Sequence, residues 1–121
     1  MAAPNLVNVS TITAKSVQAA LNTTLTTEIL ANAAASGKVY KINNIIVANI
    51  DGSNSADASV FITKSGGSPI AIASTIAVPA DSTLVVVDKN TSLYLEEGDN
   101  IEAGASADND LTITINYEEL S

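Results

Sequence analysis

The sequence predicts an all-β fold: a single jelly-roll-like antiparallel β-sandwich of about eight or nine strands. Two observations carry that prediction. Short runs alternate apolar and polar residues with period two, the pattern of strands with one buried face. Clusters rich in Gly, Pro, Asn, Asp and Ser separate these runs at short intervals, as in sandwiches and barrels. A chain of 121 residues is the length of one domain. The expected organisation is an N-terminal arm or first strand over residues 1–16 and a sandwich over 17–121.

The elements follow in order. Residues 5–12 alternate weakly, carry no charge, and read as an arm or a first strand. Residues 21–30 include Thr23-Thr24-Leu25-Thr26-Thr27, poor in helix propensity and good in strand propensity. The Ala-rich piece Ala31–Ser36 before Gly37 reads as a loop or one short turn. The run 38–50 is rich in β-branched residues and is expected to bend or bulge near Asn43-Asn44, where its apolar parity becomes ambiguous. Strands are then expected at 56–64, 69–77, 82–88, 91–95, 100–105 and 111–118. The last is the cleanest, with Leu111, Ile113, Ile115 and Tyr117 alternating with Thr112, Thr114 and Asn116. The turns between them use Gly for positive φ, Pro for a preset φ, and Asn or Asp for side-chain bonds to their own backbone. The predicted core is Ile42, Ile46, Val60, Ile62, Leu84, Val86, Leu95, Ile101, Leu111, Ile113 and Ile115.

Composition excludes whole classes of function. The chain has five Lys, no Arg, no His, no Cys and no Trp, against thirteen carboxylates, for a net charge of −8. Without His or Cys the usual ligands of zinc, haem and iron–sulfur centres are missing. The commonest general base and the strongest nucleophile are missing too. No enzymatic activity, cofactor or metal is expected. The acidic balance argues against nucleic acid, which needs clustered Lys and Arg. No stretch has the eighteen or so consecutive apolar residues of a membrane span, so no membrane partner is expected. The N-terminus lacks a basic start and an apolar run of signal length.

Each local motif has a plain structural reading. Asp51-Gly52-Ser53-Asn54-Ser55-Ala56-Asp57 spaces oxygen ligands as calcium loops do, but lacks the Gly at position six and the Glu at position twelve; it reads as a polar hairpin turn. Glu96-Glu97-Gly98-Asp99 clusters acids at a turn, where solvated carboxylates are expected. Ser65-Gly66-Gly67-Ser68 opens no helix and lacks the Lys of a phosphate loop. Tyr40, Phe61, Tyr94 and Tyr117 fall at strand positions and are expected to fill the core. Ten of the thirteen carboxylates lie from Asp81 onward, so a near-neutral N-terminal part is expected to dock while an acidic part faces water.

Three segments resemble a known group. They are Gly37 to Ser53, containing Asn49-Ile50-Asp51-Gly52; Ile76 to Leu84, containing Val78-Pro79-Ala80; and Leu93 to Glu119, beginning Leu93-Tyr94-Leu95-Glu96-Glu97-Gly98-Asp99-Asn100-Ile101. Their order resembles small virion structural proteins of tailed bacteriophages, especially cyanobacterial phages, over roughly residues 23 to 119. The shared motifs are turns, so the resemblance implies a virion component and carries over no catalytic residue. It implies a capsid decoration or cement protein that self-associates, as a homotrimer first, with a dimer or a six-fold ring left open, on the major capsid protein or another virion protein. A tail, baseplate or fibre accessory is the alternative, and a small carbohydrate-binding module is a third reading that the scarcity of aromatics disfavours. Some strands carry apolar residues on both faces, which calls for a partner. Asn5, Leu6, Val7, Val9 and Ile12 on the arm, with Val85 and Val87 on their strand, are the expected assembly contacts, the arm offering backbone for strand addition.

Overall fold

A computed structural model describes residues 6–121. Nine strands form two antiparallel sheets packed face to face. They are β1 (Ile12–Ala20), β2 (Thr27–Ala31), β3 (Val39–Asn49), β4 (Ala56–Thr63), β5 (Ile70–Val78), β6 (Thr83–Val87), β7 (Leu93–Leu95), β8 (Asn100–Ala105) and β9 (Leu111–Leu120). The front sheet runs β1-β9-β3-β6, with β7 continuing the β6 position along β3; the back sheet runs β2-β8-β4-β5. The chain passes between sheets at most connections. With β6 and β7 counted as one interrupted strand, this is the eight-strand order of a jelly roll. The interruption is one 3₁₀ turn at Lys89–Thr91, capped by Asp88, whose Oδ1 accepts the N–H groups of Asn90 (2.9 Å) and Thr91 (3.1 Å).

The core lies between the sheets, and its two walls differ in size. The front sheet contributes Ile42, Ile45, Val47, Leu111, Ile113 and Ile115; the back sheet contributes Ala56, Ala58, Val60, Ala103 and Ala105 with Ile101. Large residues set against small ones let two sheets interdigitate without voids. Much of the Ala content therefore has a packing role rather than a helical one. Ile62, Leu84 and Val86 are half-buried against this cluster.

Bulges reset the parity of four strands. The expected bulge at Asn43 is present: Ile42 pairs with Tyr117, but Asn44 pairs with Asn116, so Asn43 is the extra residue. Beyond it, Ile45 and Val47 point inward, and Ile46 turns to the outer face instead of the core. A second bulge sits in β6, where Ile45 pairs with Val87 but Ile46 with Val85. The third and fourth lie in β5, at Ser74-Thr75 and at Ile72, and the fifth in β2, at Ile29.

Two elements near the N-terminus also differ from expectation. The first strand is 12–20 rather than 5–12, because β9 runs to Leu120 and gives β1 an unbroken nine-residue partner. The 16/17 boundary between arm and sandwich therefore falls inside a strand. Its Ala, Ser and Gln residues have little β propensity, which muted the signal. Residues 21–26 form a turn rather than a strand, since the Asn22 Oδ1 accepts from Thr24 N (2.9 Å) and Thr27 Oγ1 (3.0 Å). Gly104 lies directly beneath that turn.

Candidate functional site

The two outer faces of the sandwich carry different chemistry. On the front face the outward positions are Ala14, Ser16, Gln18 and Ala20 on β1, then Thr112, Thr114 and Asn116 on β9. Asn44, Ile46 and Ala48 follow on β3, with Thr83 and Val85 on β6. The charged side chains these strands present outward are Lys41 and Glu118, and these are direct cross-strand partners, so the face has no net charge. On the back face, Glu28, Asp57 and Glu102 point outward with no lysine among the strand positions. Glu28 stands opposite Glu102, an arrangement that costs stability in an isolated strand pair. Thr63 Oγ1 donates to Glu102 (2.6 Å) and Asn100 Nδ2 donates to Glu28 (3.3 Å), which offsets part of that cost. Of the ten carboxylates from Asp81 onward, only Glu102 lies on a back-sheet strand, so this asymmetry between sheets is separate from the one expected between the halves of the sequence.

The expected assembly contacts divide. Val85 is 57% exposed, near the middle of the β6 edge and beside Ile46. Ile12 is 60% exposed and neighbours Leu120 and Val39 across the ladder at one end of the same face. Leu6 and Val7 are exposed, and Val9 is half-buried. Asn5 lies outside the described residues. Val87 is a correction: the β6 bulge turns it inward, and it is buried in the core beside Ile45. Sequence reasoning missed Tyr94 and Ile46. Tyr94 pairs with Lys41 and stands outward, whereas Tyr40 and Tyr117 stack with ring centroids 5.1 Å apart.

Polar groups at the ends of the sandwich work as clasps. Glu119, nearly buried, accepts from Lys15 (2.8 Å) and Lys38 (2.9 Å). The hydrogen bonds from Lys15 and then Lys38 hold the Glu119 carboxyl below the usual carboxylate range, and the same contact raises Lys15. Burial raises the Tyr117 phenol nearby. At another site Asp99, buried, accepts from Ser65 N (2.9 Å) and Glu96 N (2.8 Å) and binds Lys64, which also reaches Glu96 at 3.1 Å. Partial burial lowers Lys64, but its bonds to Asp99 and Glu96 outweigh that and the net shift is upward. The acid cluster at 96–99 is therefore a structural latch.

The Asp51 loop also closes on itself. Asp51 Oδ1 accepts from Ser53 N (2.8 Å) and Asn54 N (3.3 Å) and its Oδ2 from Asn54 Nδ2 (3.3 Å); the Ser53 bond first, then the Asn54 side chain, lower its pKa. Among the described residues no group of three or more His, Cys, Asp or Glu could hold a metal ion. A shallow depression of about 370 Å³ opens on the front face between β1, the Asn43 bulge and β9. No protein-family model matches the chain, and no curated protein matches it.

Proposed function

We propose that this chain is a non-enzymatic virion structural protein of a tailed bacteriophage, a capsid decoration protein that self-associates and stabilises the head shell. The single observation that carries it is the contrast between the outer faces. A protein with net charge −8 has one broad face without net charge, made of Ala, Ser, Thr, Asn and Gln around the Lys41–Glu118 pair, with Ile46, Val85 and Tyr94 exposed or half-exposed on it. Contiguous uncharged surface with apolar residues on it marks a protein interface. The front face is the surface that meets the major capsid protein or a neighbouring copy, and the acidic back face stays in water and keeps the particle soluble. The phage resemblance adds the virion setting and an expected copy number of three. The jelly roll suits this role because its turns are short and its polar ends are clasped.

The test compares particles of the phage that encodes the chain with particles lacking its gene. Heat should release the genome from the deleted particles at a lower temperature. Added wild-type protein should restore the original temperature, and Val85→Asp should not. Equal stability of both particles would overturn the proposal, as would density for this chain on the tail instead of the shell.

A further inference from the structure

We propose that β1 is a docking edge, and that its occupant is β1 of a second copy, paired antiparallel about a two-fold axis at Ser16. The four sheet edges are built differently. Exposed edges template unwanted pairing, and proteins blunt them with bulges, charges and short strands. β2 is five residues long, bulged, and carries Glu28. β5 has two register shifts and holds Thr75 at φ 53°. The β6–β7 edge is bulged and broken by the turn at Lys89. β1 has no bulge and no break, and it is nine residues long. Its nine-residue ladder is unbroken, it contains no Pro or Gly, and it is exposed along most of its length. Its single charge, Lys15, is engaged by Glu119. Among the described residues β9 is its one strand neighbour.

The hydrogen-bond register leaves the edge of β1 open to a partner. Thr11 and Ser121 exchange both backbone bonds, and Leu21 N donates to Leu111 O. In an antiparallel ladder the bonded pairs alternate, so the odd residues of β1 are bonded to β9. The N–H and C=O groups of Ile12, Ala14, Ser16, Gln18 and Ala20 therefore point to the open edge. A two-fold axis at Ser16 pairs even residues with even residues: Ile12 with Ala20, Ala14 with Gln18, and Ser16 with itself. All five residues on each strand then bond through both groups, about ten hydrogen bonds in all. No like charges are direct partners across this junction, since Lys15 stands opposite Val17 and is held by Glu119, and each side chain keeps its face. The result is one sheet running through two copies, with both uncharged front faces on the same side.

This deepens the self-association part of the proposed function, and it replaces the copy number, because an edge that pairs with itself closes at two. The experiment is sedimentation velocity of the purified full chain at micromolar concentration, without particles, so that its result is separate from shell binding. Wild type should sediment at twice the 12.3 kDa chain mass. Ser16→Pro removes an N–H that faces the open edge, so it should give a monomer with an unchanged circular-dichroism spectrum. A register-specific pair covers the case in which that variant misfolds. Ala14→Glu with Gln18→Glu places acids opposite acids and should give a monomer, whereas Ala14→Lys with Gln18→Glu places opposite charges together and should keep the dimer. A wild-type monomer or trimer, or a Glu/Glu variant that remains dimeric, would overturn the inference.

Discussion

Gly104 offers the sharpest test of how the fold is closed. It sits on the outer side of β8, and a Cβ there would lie 2.4 Å from Leu25 Cα, 2.7 Å from Thr24 O and 2.9 Å from Leu25 N. All three neighbours are backbone, so no side chain can swing away; the whole 22–26 turn must lift by about 1 Å to reach ordinary carbon contact distances. That turn is pinned by Ala105 N donating to Asn22 O (2.8 Å) and by Thr23 N donating to Asp108 Oδ1 (3.1 Å). Overpacking of this kind costs about 1–3 kcal/mol, and losing one pinning bond adds about 1 kcal/mol. Gly104→Ala should therefore destabilise by roughly 2–4 kcal/mol. An unfolding entropy of about 0.25 kcal/mol per kelvin for a chain of this length converts that to a Tm loss of about 8–16 °C. Gly66 is the control, because its Cβ would meet nothing within 4 Å although its φ is +74°. Gly66→Ala should cost only about 1 kcal/mol, the ordinary left-handed penalty. A thermal melt followed by circular dichroism reads both. If Gly104→Ala melts within about 2 °C of wild type, the close seat of the turn on β8 is wrong.

Two further expectations follow from parity and charge. Val85→Asp should leave Tm within a few degrees of wild type, while Val87→Asp should abolish cooperative unfolding, because the β6 bulge exposes the first and buries an unpaired carboxylate at the second; equal behaviour in a melt would refute the bulge. Stability should be flat near neutrality and fall on both sides. Glu119 and Asp51 have lowered folded pKa values, so their contribution is present above the ordinary carboxylate range and is lost as pH falls through the folded values. Lys15 and Lys64 are raised, so theirs is present below 10.5 and lost as pH rises through the folded values. Glu119→Gln should lower stability at neutral pH and converge with wild type as pH falls below the lowered Glu119 value; parallel curves in urea titrations would exclude the clasp.

The fold was legible because period two and turn chemistry are local signals. Strands β3 to β9 fall within a few residues of where alternation and Gly, Pro and Asp clusters place them. Inside or outside was harder to read, because one extra residue inverts every later side chain. A bulge was expected at Asn43, yet Ile46 was still assigned to the core; only the register with β9 shows that Ile45 and Val47 take that role. In Leu84-Val85-Val86-Val87 all positions are apolar, so no pattern could reveal the bulge that buries Val87. β1 was weakest in signal, since Ala, Ser and Gln hold a strand here through β9 rather than through propensity. Glycine 104 has no sequence mark at all. Its need arises from a turn eighty residues earlier in the chain.

The same parity rule that hid these residues accounts for the division of charge between the sheets. Every second residue of a strand faces outward, so a strand can carry acids on the back sheet and Ser or Thr on the front sheet without altering the shared core. Packed sheets lie about 10 Å apart, and the screening length at physiological salt is about 8 Å. The acids Glu28, Asp57 and Glu102 are thus largely screened from anything that meets the front face, although they repel any copy that approaches from behind. The back face resists contact while the front face is free to make it. A uniformly distributed charge of −8 would oppose association in every orientation. Placing three acids behind one sheet and most of the others in loops leaves the front face and the β1 edge as the surfaces where a partner meets least repulsion.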